Sequence, residues 1–107
     1  MKIVSSDVMR GFNDILIMSV LKKGDSYGYQ ISKEIEELSE GLYSLKETTL
    51  YSALDRYERL GFTVSYDKGE VNGRPRVYFK LTETGKKHLA EKIEEWKSSV
   101  ELINRFV

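Results

Sequence analysis

The chain has 107 residues, no cysteine and 40% apolar residues, enough for one domain with a modest core. Seventeen basic and seventeen acidic side chains cancel, so any attraction to nucleic acid or to a membrane surface must come from local patterning. With no apolar run long enough to span a bilayer and no charged-then-apolar leader, a soluble cytoplasmic protein without membrane partner is expected.

Asp7 is placed to cap a first helix, "VMRGFNDILIMSVLKK", that closes at Gly24. Val8, Phe12 and Ile15 form one apolar stripe on it, with Ile17, Met18 and Leu21 roughly opposite, so this helix needs cover on two sides. Ser26 is expected to cap a second helix, "YGYQISKEIEEL", whose Tyr27, Ile31, Ile35 and Leu38 make a single stripe. Ser44 and Glu47 have capping-box spacing before a third, "TTLYSALDRYERL", which stops at Gly61.

After Gly61 the apolar period changes from 3.6 to 2. Phe62, Val64 and Tyr66 alternate with polar residues, as do Val77, Phe79 and Leu81, with Asn72-Gly73 favouring a tight turn between the two strands. From Thr82 a long helix carries Leu89, Ile93, Trp96, Val100, Ile103 and Val107 at heptad spacing, a seam suited to a partner helix. The expected fold is mainly α with a small β hairpin, an α+β winged helix-turn-helix over residues 1–81. Residues 82–107 then form a C-terminal dimerisation helix packed with helix one.

In such a domain the third helix reads a duplex. Its wheel turns Leu50, Ala53, Leu54 and Tyr57 inward and leaves Thr48, Ser52, Asp55 and Arg59 outward, flanked by Tyr51 and Arg56. Small hydroxyls suit phosphates and base edges, and a helix N-terminus favours a phosphate oxygen. Lys68, Arg74, Arg76 and Lys80 against the lone Glu70 make the hairpin locally basic, as a groove-entering wing would be. The blander readings are a solvated helix face and a tip charged for solubility.

Three motifs in register then resemble the PadR-like bacterial transcriptional regulators across nearly the whole chain. They are "LKKGDSYGYQISKEIEE", "TTLYSALDRYERLGF" and "GRPRVYFKLTETGKKHL". The resemblance implies a homodimeric repressor that binds a palindromic operator and releases it when a small molecule binds. Thr49, Leu50 and Tyr51 match the family's signature, with Thr48 standing where Gly is common, a change that bears on base preference. The expected DNA-binding set is Thr48, Thr49, Tyr51, Ser52, Arg56, Arg59, Arg74 and Arg76. Some compact members are similar in carrying a Trp midway along the last helix, beside a pore for flat aromatic drugs, and others sense phenolic acids. By that resemblance, Trp96 with Val8, Phe12, Ile15 and Ile93 is the expected effector site, for a planar aromatic or phenolic ligand.

Catalysis has no support. The single histidine, His88, has no metal-spaced carboxylate or cysteine beside it, and there is no phosphate loop or nucleophile elbow, so neither an enzyme nor a bound cofactor or metal is expected. The competing reading is a winged-helix adaptor that makes protein contacts without binding DNA, which the zero net charge favours.

Overall fold

A computed structural model describes residues 4–107, the side chain of Val71 excepted. The elements run α1 (Ser6–Met9), α2 (Asn13–Lys23), β1 (Ser26–Tyr27), α3 (Gly28–Leu38), α4 (Glu47–Arg59), β2 (Thr63–Val71), β3 (Arg74–Leu81) and α5 (Glu83–Asn104). This is the expected winged helix-turn-helix with a long last helix, and the wing is a three-stranded antiparallel sheet in the order β1-β3-β2.

Three local expectations are corrected. The first helix is two helices: Ser5, not Asp7, caps α1 through the Val8 amide, and the chain turns at residues 10–12 before α2 begins. Gly11 lowers the cost of that break, and the Phe12 amide closes it by donating to the Met9 carbonyl at 2.8 Å. Ser26 does not cap α3. It pairs with Phe79 and Tyr27 pairs with Tyr78, so the sheet captures the two residues before Gly28. Ser44 likewise makes no capping box, because α4 starts at Glu47 with Lys46 at its N-cap.

The core gathers Ile17, Met18, Val20 and Leu21 of α2, Ile31 and Ile35 of α3, and Leu50, Ala53, Leu54 and Tyr57 of α4, with Leu81 and Leu89 closing the far side. The wheel reading of α4 therefore holds, residue for residue; of the first-helix reading, Ile17, Met18 and Leu21 are buried, whereas Phe12 and Ile15 are half-buried and Val8, carried on α1 instead, is exposed. On β2 the alternation runs the other way: Thr63 is buried opposite Leu81, whereas Val64 and Tyr66 face out. Strand β3 explains this, since its register puts Thr63 and Ser65 beside Leu81 and Phe79 on the core side. The outward row becomes an aromatic ladder, with Tyr27 and Tyr66 flanking Tyr78 at centroid distances of 5.3 and 5.9 Å.

The Leu-Thr-x-x-Gly stretch acts as a fastener. Thr82 caps α5 by accepting from the Gly85 amide at 3.0 Å and donates its hydroxyl to the Gly61 carbonyl at 2.7 Å. Gly61 itself closes α4 at φ +78, with the Phe62 amide reaching back to the Tyr57 carbonyl at 2.9 Å. Gly85 abuts the Phe62 carbonyl, and a Cβ there would also lie 2.7 Å from a Leu81 methyl. Gly85→Ala is therefore expected to cost about 1–3 kcal/mol through overpacking against backbone, seen as a fall in thermal midpoint.

Only the first half of α5 has cover. Leu89 is buried and Ile93 packs on the core edge, but Trp96, Val100, Leu102, Ile103 and Phe106 are exposed along a molecule 52 Å long and 32 Å wide. The Cα radius of gyration is 14.9 Å, against about 13 Å for a compact chain of this length, so the free half of α5 extends the molecule beyond its domain.

Candidate nucleic-acid interface

Two structural features stand side by side on one surface: the outward side of α4 and the β2–β3 wing. Thr48, Thr49, Ser52, Asp55 and Arg59 are exposed along α4, as the wheel required, and Thr48 and Thr49 lie in its first turn, where free amides point out of the helix. Among the described residues Arg59 makes no salt bridge, which leaves its guanidinium free for an external anion.

Tyr51 is fixed by a glycine. Its ring packs onto Gly28, where a Cβ would come within 2.7 Å of the Tyr51 Cζ, so the Gly of "YGY" and the Tyr of "TTLY" are two halves of one contact. The ring remains 43% exposed and lines a cleft of about 380 Å³ between α4 and the wing, with Asp55, Glu58, Arg76 and Val77.

The wing tip is a two-residue turn with Asn72 at φ 54 and Gly73 at φ 77, both left-handed as a type I′ hairpin needs. Pro75 opposes Glu70 next to a bulge in which Lys68 and Gly69 face Arg76. The two wing arginines consequently differ. Arg74 flanks the turn and is exposed, whereas Arg76 is half-buried, its guanidinium 4.8 Å from the Tyr27 ring centroid and its Nε buried without a partner among the described residues. Lys68 lies over Tyr78 at 4.9 Å, which holds its ammonium on the aromatic ladder.

Arg56 is also set apart from the other arginines. Its two terminal nitrogens donate to the Asp14 carboxylate of α2 at 2.9 and 3.1 Å, and the Tyr57 hydroxyl donates to the same carboxylate in a short hydrogen bond. Burial alone would raise the Asp14 carboxyl, but the Arg56 and Tyr57 hydrogen bonds and the nearby positive charges of Arg56 and Lys92 leave it below the ordinary value. Burial and the adjoining carboxylate push the Tyr57 phenol far up, so it stays a neutral donor. No spacing rule joins residues 42 positions apart, so this cluster was invisible in the sequence.

The expected effector residues divide by location. Phe12, Ile15 and Ile93 are half-buried, Val8 is exposed, and Trp96 is 43% exposed on the free part of α5. The larger clefts of the single chain are lined by other residues. Among the described residues no group of three or more His, Cys, Asp or Glu is placed to hold a metal ion, and no helix is long and apolar enough to cross a membrane.

Comparison with known proteins identifies the lineage. The profile of the transcriptional regulator PadR-like family matches residues 17–91. The chain belongs to the PadR-like family of transcriptional regulators. It is similar to the structure of a transcriptional regulator from Clostridium thermocellum, Cth-833, at 47% identity and TM-score 0.90, with 98% of this chain and 99% of that one covered. An uncharacterized protein of Lysinibacillus sphaericus, protein X, is 35% identical over 104 residues, 97% of this chain and 95% of that protein. The fold also matches Bacillus subtilis PadR in complex with operator DNA, at 23% identity and TM-score 0.68, over 76% of this chain and 47% of that one. The family is one of non-enzymatic regulators, and the three motifs read from the sequence all fall inside the matched span.

Proposed function

We propose that this PadR-like regulator is a homodimeric repressor that reads a palindromic operator with α4 and grips the backbone with its wing. The observation that carries the reading is the joint placement of a hydroxyl-lined, exposed α4 N-terminus and an exposed Arg74 at the wing tip on a chain of zero net charge. Thr48, Thr49, Ser52 and Tyr51 are the readers. Arg59 and Arg74 bind phosphates, and Arg76, stacked on Tyr27, sets the wing against α4 while offering its remaining donors to the backbone. The Asp14-bound Arg56 belongs to the support of the helix instead.

Dimerisation follows from the free half of α5. Trp96, Val100, Ile103 and Val107 continue the heptad seam into solvent, and a second copy packing through α5 and the Val8–Phe12–Ile15 side of the α1–α2 segment covers them. An effector site arises at the same place, where paired Trp96 indoles and Phe12, Ile15, Val8 and Ile93 offer an apolar wall to a planar aromatic or phenolic molecule.

Arg74→Ala combined with Arg76→Ala tests the DNA reading. The variant is expected to weaken binding to every duplex and to lower the slope of log affinity against log salt by about 2, while the fold persists. Wild-type affinity across a salt series would refute the wing's role. Salt-insensitive indifference to DNA in the wild type would favour the adaptor reading.

A further inference from the structure

We infer that Asp14 is a positioning residue for sequence readout: it fastens α4 to α2 through Arg56 and Tyr57 and keeps Arg56 off the DNA. The inference rests on the DNA-reading function proposed above. Arg56 and Tyr57 are consecutive, so their side chains leave the helix about 100° apart, and yet both donate to one carboxylate. A helix held at two such points cannot rotate about its axis without breaking a bond. Tyr57 is fully buried and anchors the inner side; Arg56, one turn beyond Ser52, anchors the flank of the exposed face.

The chemistry suits a clamp. An arginine fork on a carboxylate has fixed geometry, which a lysine's point charge would lack. The pair is not a deep ion pair that must overcome full desolvation, since the Arg56 side chain keeps 45% of its exposure and Asp14 19%. Lys92 of α5 lines a cleft of about 540 Å³ together with Asp14, Arg56, Thr48, Thr49 and Ser52, so α2, α4 and α5 all border the clamp. Without Asp14, Arg56 would stand as a mobile cation beside the reading face, able to bind phosphate of any sequence.

Asp14→Asn keeps the shape and removes the charge. The measured quantities are affinities for a duplex enriched by in vitro selection with the wild-type protein and for a scrambled duplex of equal length, at a temperature where melting curves show every variant folded. Asp14→Asn is expected to lower the ratio of the two affinities about tenfold, with scrambled-duplex binding unchanged or stronger and its salt slope steeper. Arg56→Gln, which loses the clamp without freeing a cation, should lower the ratio and leave the scrambled-duplex slope alone. In the Arg56→Gln background, adding Asp14→Asn should change the ratio no further. A merely structural role predicts parallel losses on both duplexes that follow the melting temperature, and that result overturns the inference, as does full additivity of the two substitutions. If Asp14→Asn does not fold, an unchanged ratio in Arg56→Gln overturns it. A wild-type protein that enriches no duplex overturns the DNA reading and this role with it, whereas enrichment followed by an unchanged ratio in the variants overturns this role alone.

Discussion

Val100→Asp together with Ile103→Asp is expected to give a folded monomer that binds the operator about 10²–10⁴-fold more weakly than the wild type. Both side chains are exposed in the single chain, Val100 at 43% and Ile103 at 57%, so carboxylates there meet water and disturb no contact of the domain. In a dimer the same two positions would set four carboxylates into an apolar seam, where desolvation and like-charge repulsion oppose association. The large loss on DNA follows from geometry. A dimer engages two half-sites, and once one is bound the second is presented at a high effective concentration; a monomer has only the first. Sedimentation reports the mass, melting reports the fold, and titration of a palindrome against an isolated half-site separates the terms. A monomer whose palindrome affinity equals the wild type's would refute the dimeric reading, and so would a dimer that survives both charges.

The helical part of this fold was legible because helices announce themselves through one-dimensional periodicity. Leu50, Ala53, Leu54 and Tyr57 recur at helical spacing and all four are buried, and Gly61 ends the helix at a positive φ that a side chain would resist. Where the sequence misled, a tertiary partner had overruled a local preference. Ser26 is a good N-cap, but pairing with Phe79 satisfies its backbone in the sheet; Val64 and Tyr66 are better strand residues than Thr63, but β3 decides which face of β2 turns inward. The candidate interface divides in the same way. Exposed hydroxyls on α4 and basic residues on the hairpin follow from local pattern, whereas the distinction among Arg56, Arg74 and Arg76 does not. It depends on Asp14, on the turn and on Tyr27, groups brought near only by folding.

Trp96→Ala is the substitution expected to separate ligand recognition from assembly. Because the indole is 43% exposed in the single chain and lies beyond the last covered turn of α5, its removal opens no cavity in the domain core, and the folding stability of the domain should stay within about 0.5 kcal/mol of wild type. The seam keeps Val100, Ile103 and Val107, so the dimer is expected to persist as well. What is lost is the flat π surface. In the wild type, planar aromatic cations or phenolic acids should quench the fluorescence of this sole tryptophan and weaken operator binding by about 5–150-fold, the usual range of coupling between two sites. Linkage requires the converse, that operator DNA weakens ligand binding by the same factor, which gives an internal check. Calorimetric titration of the variant, which has no tryptophan signal, should then show binding weakened at least tenfold, and operator affinity should no longer respond to the compound. A variant that dissociates to monomers would assign Trp96 to the packing of the interface, and a wild-type protein silent to the whole panel would remove the effector site from the proposed function while leaving DNA recognition standing.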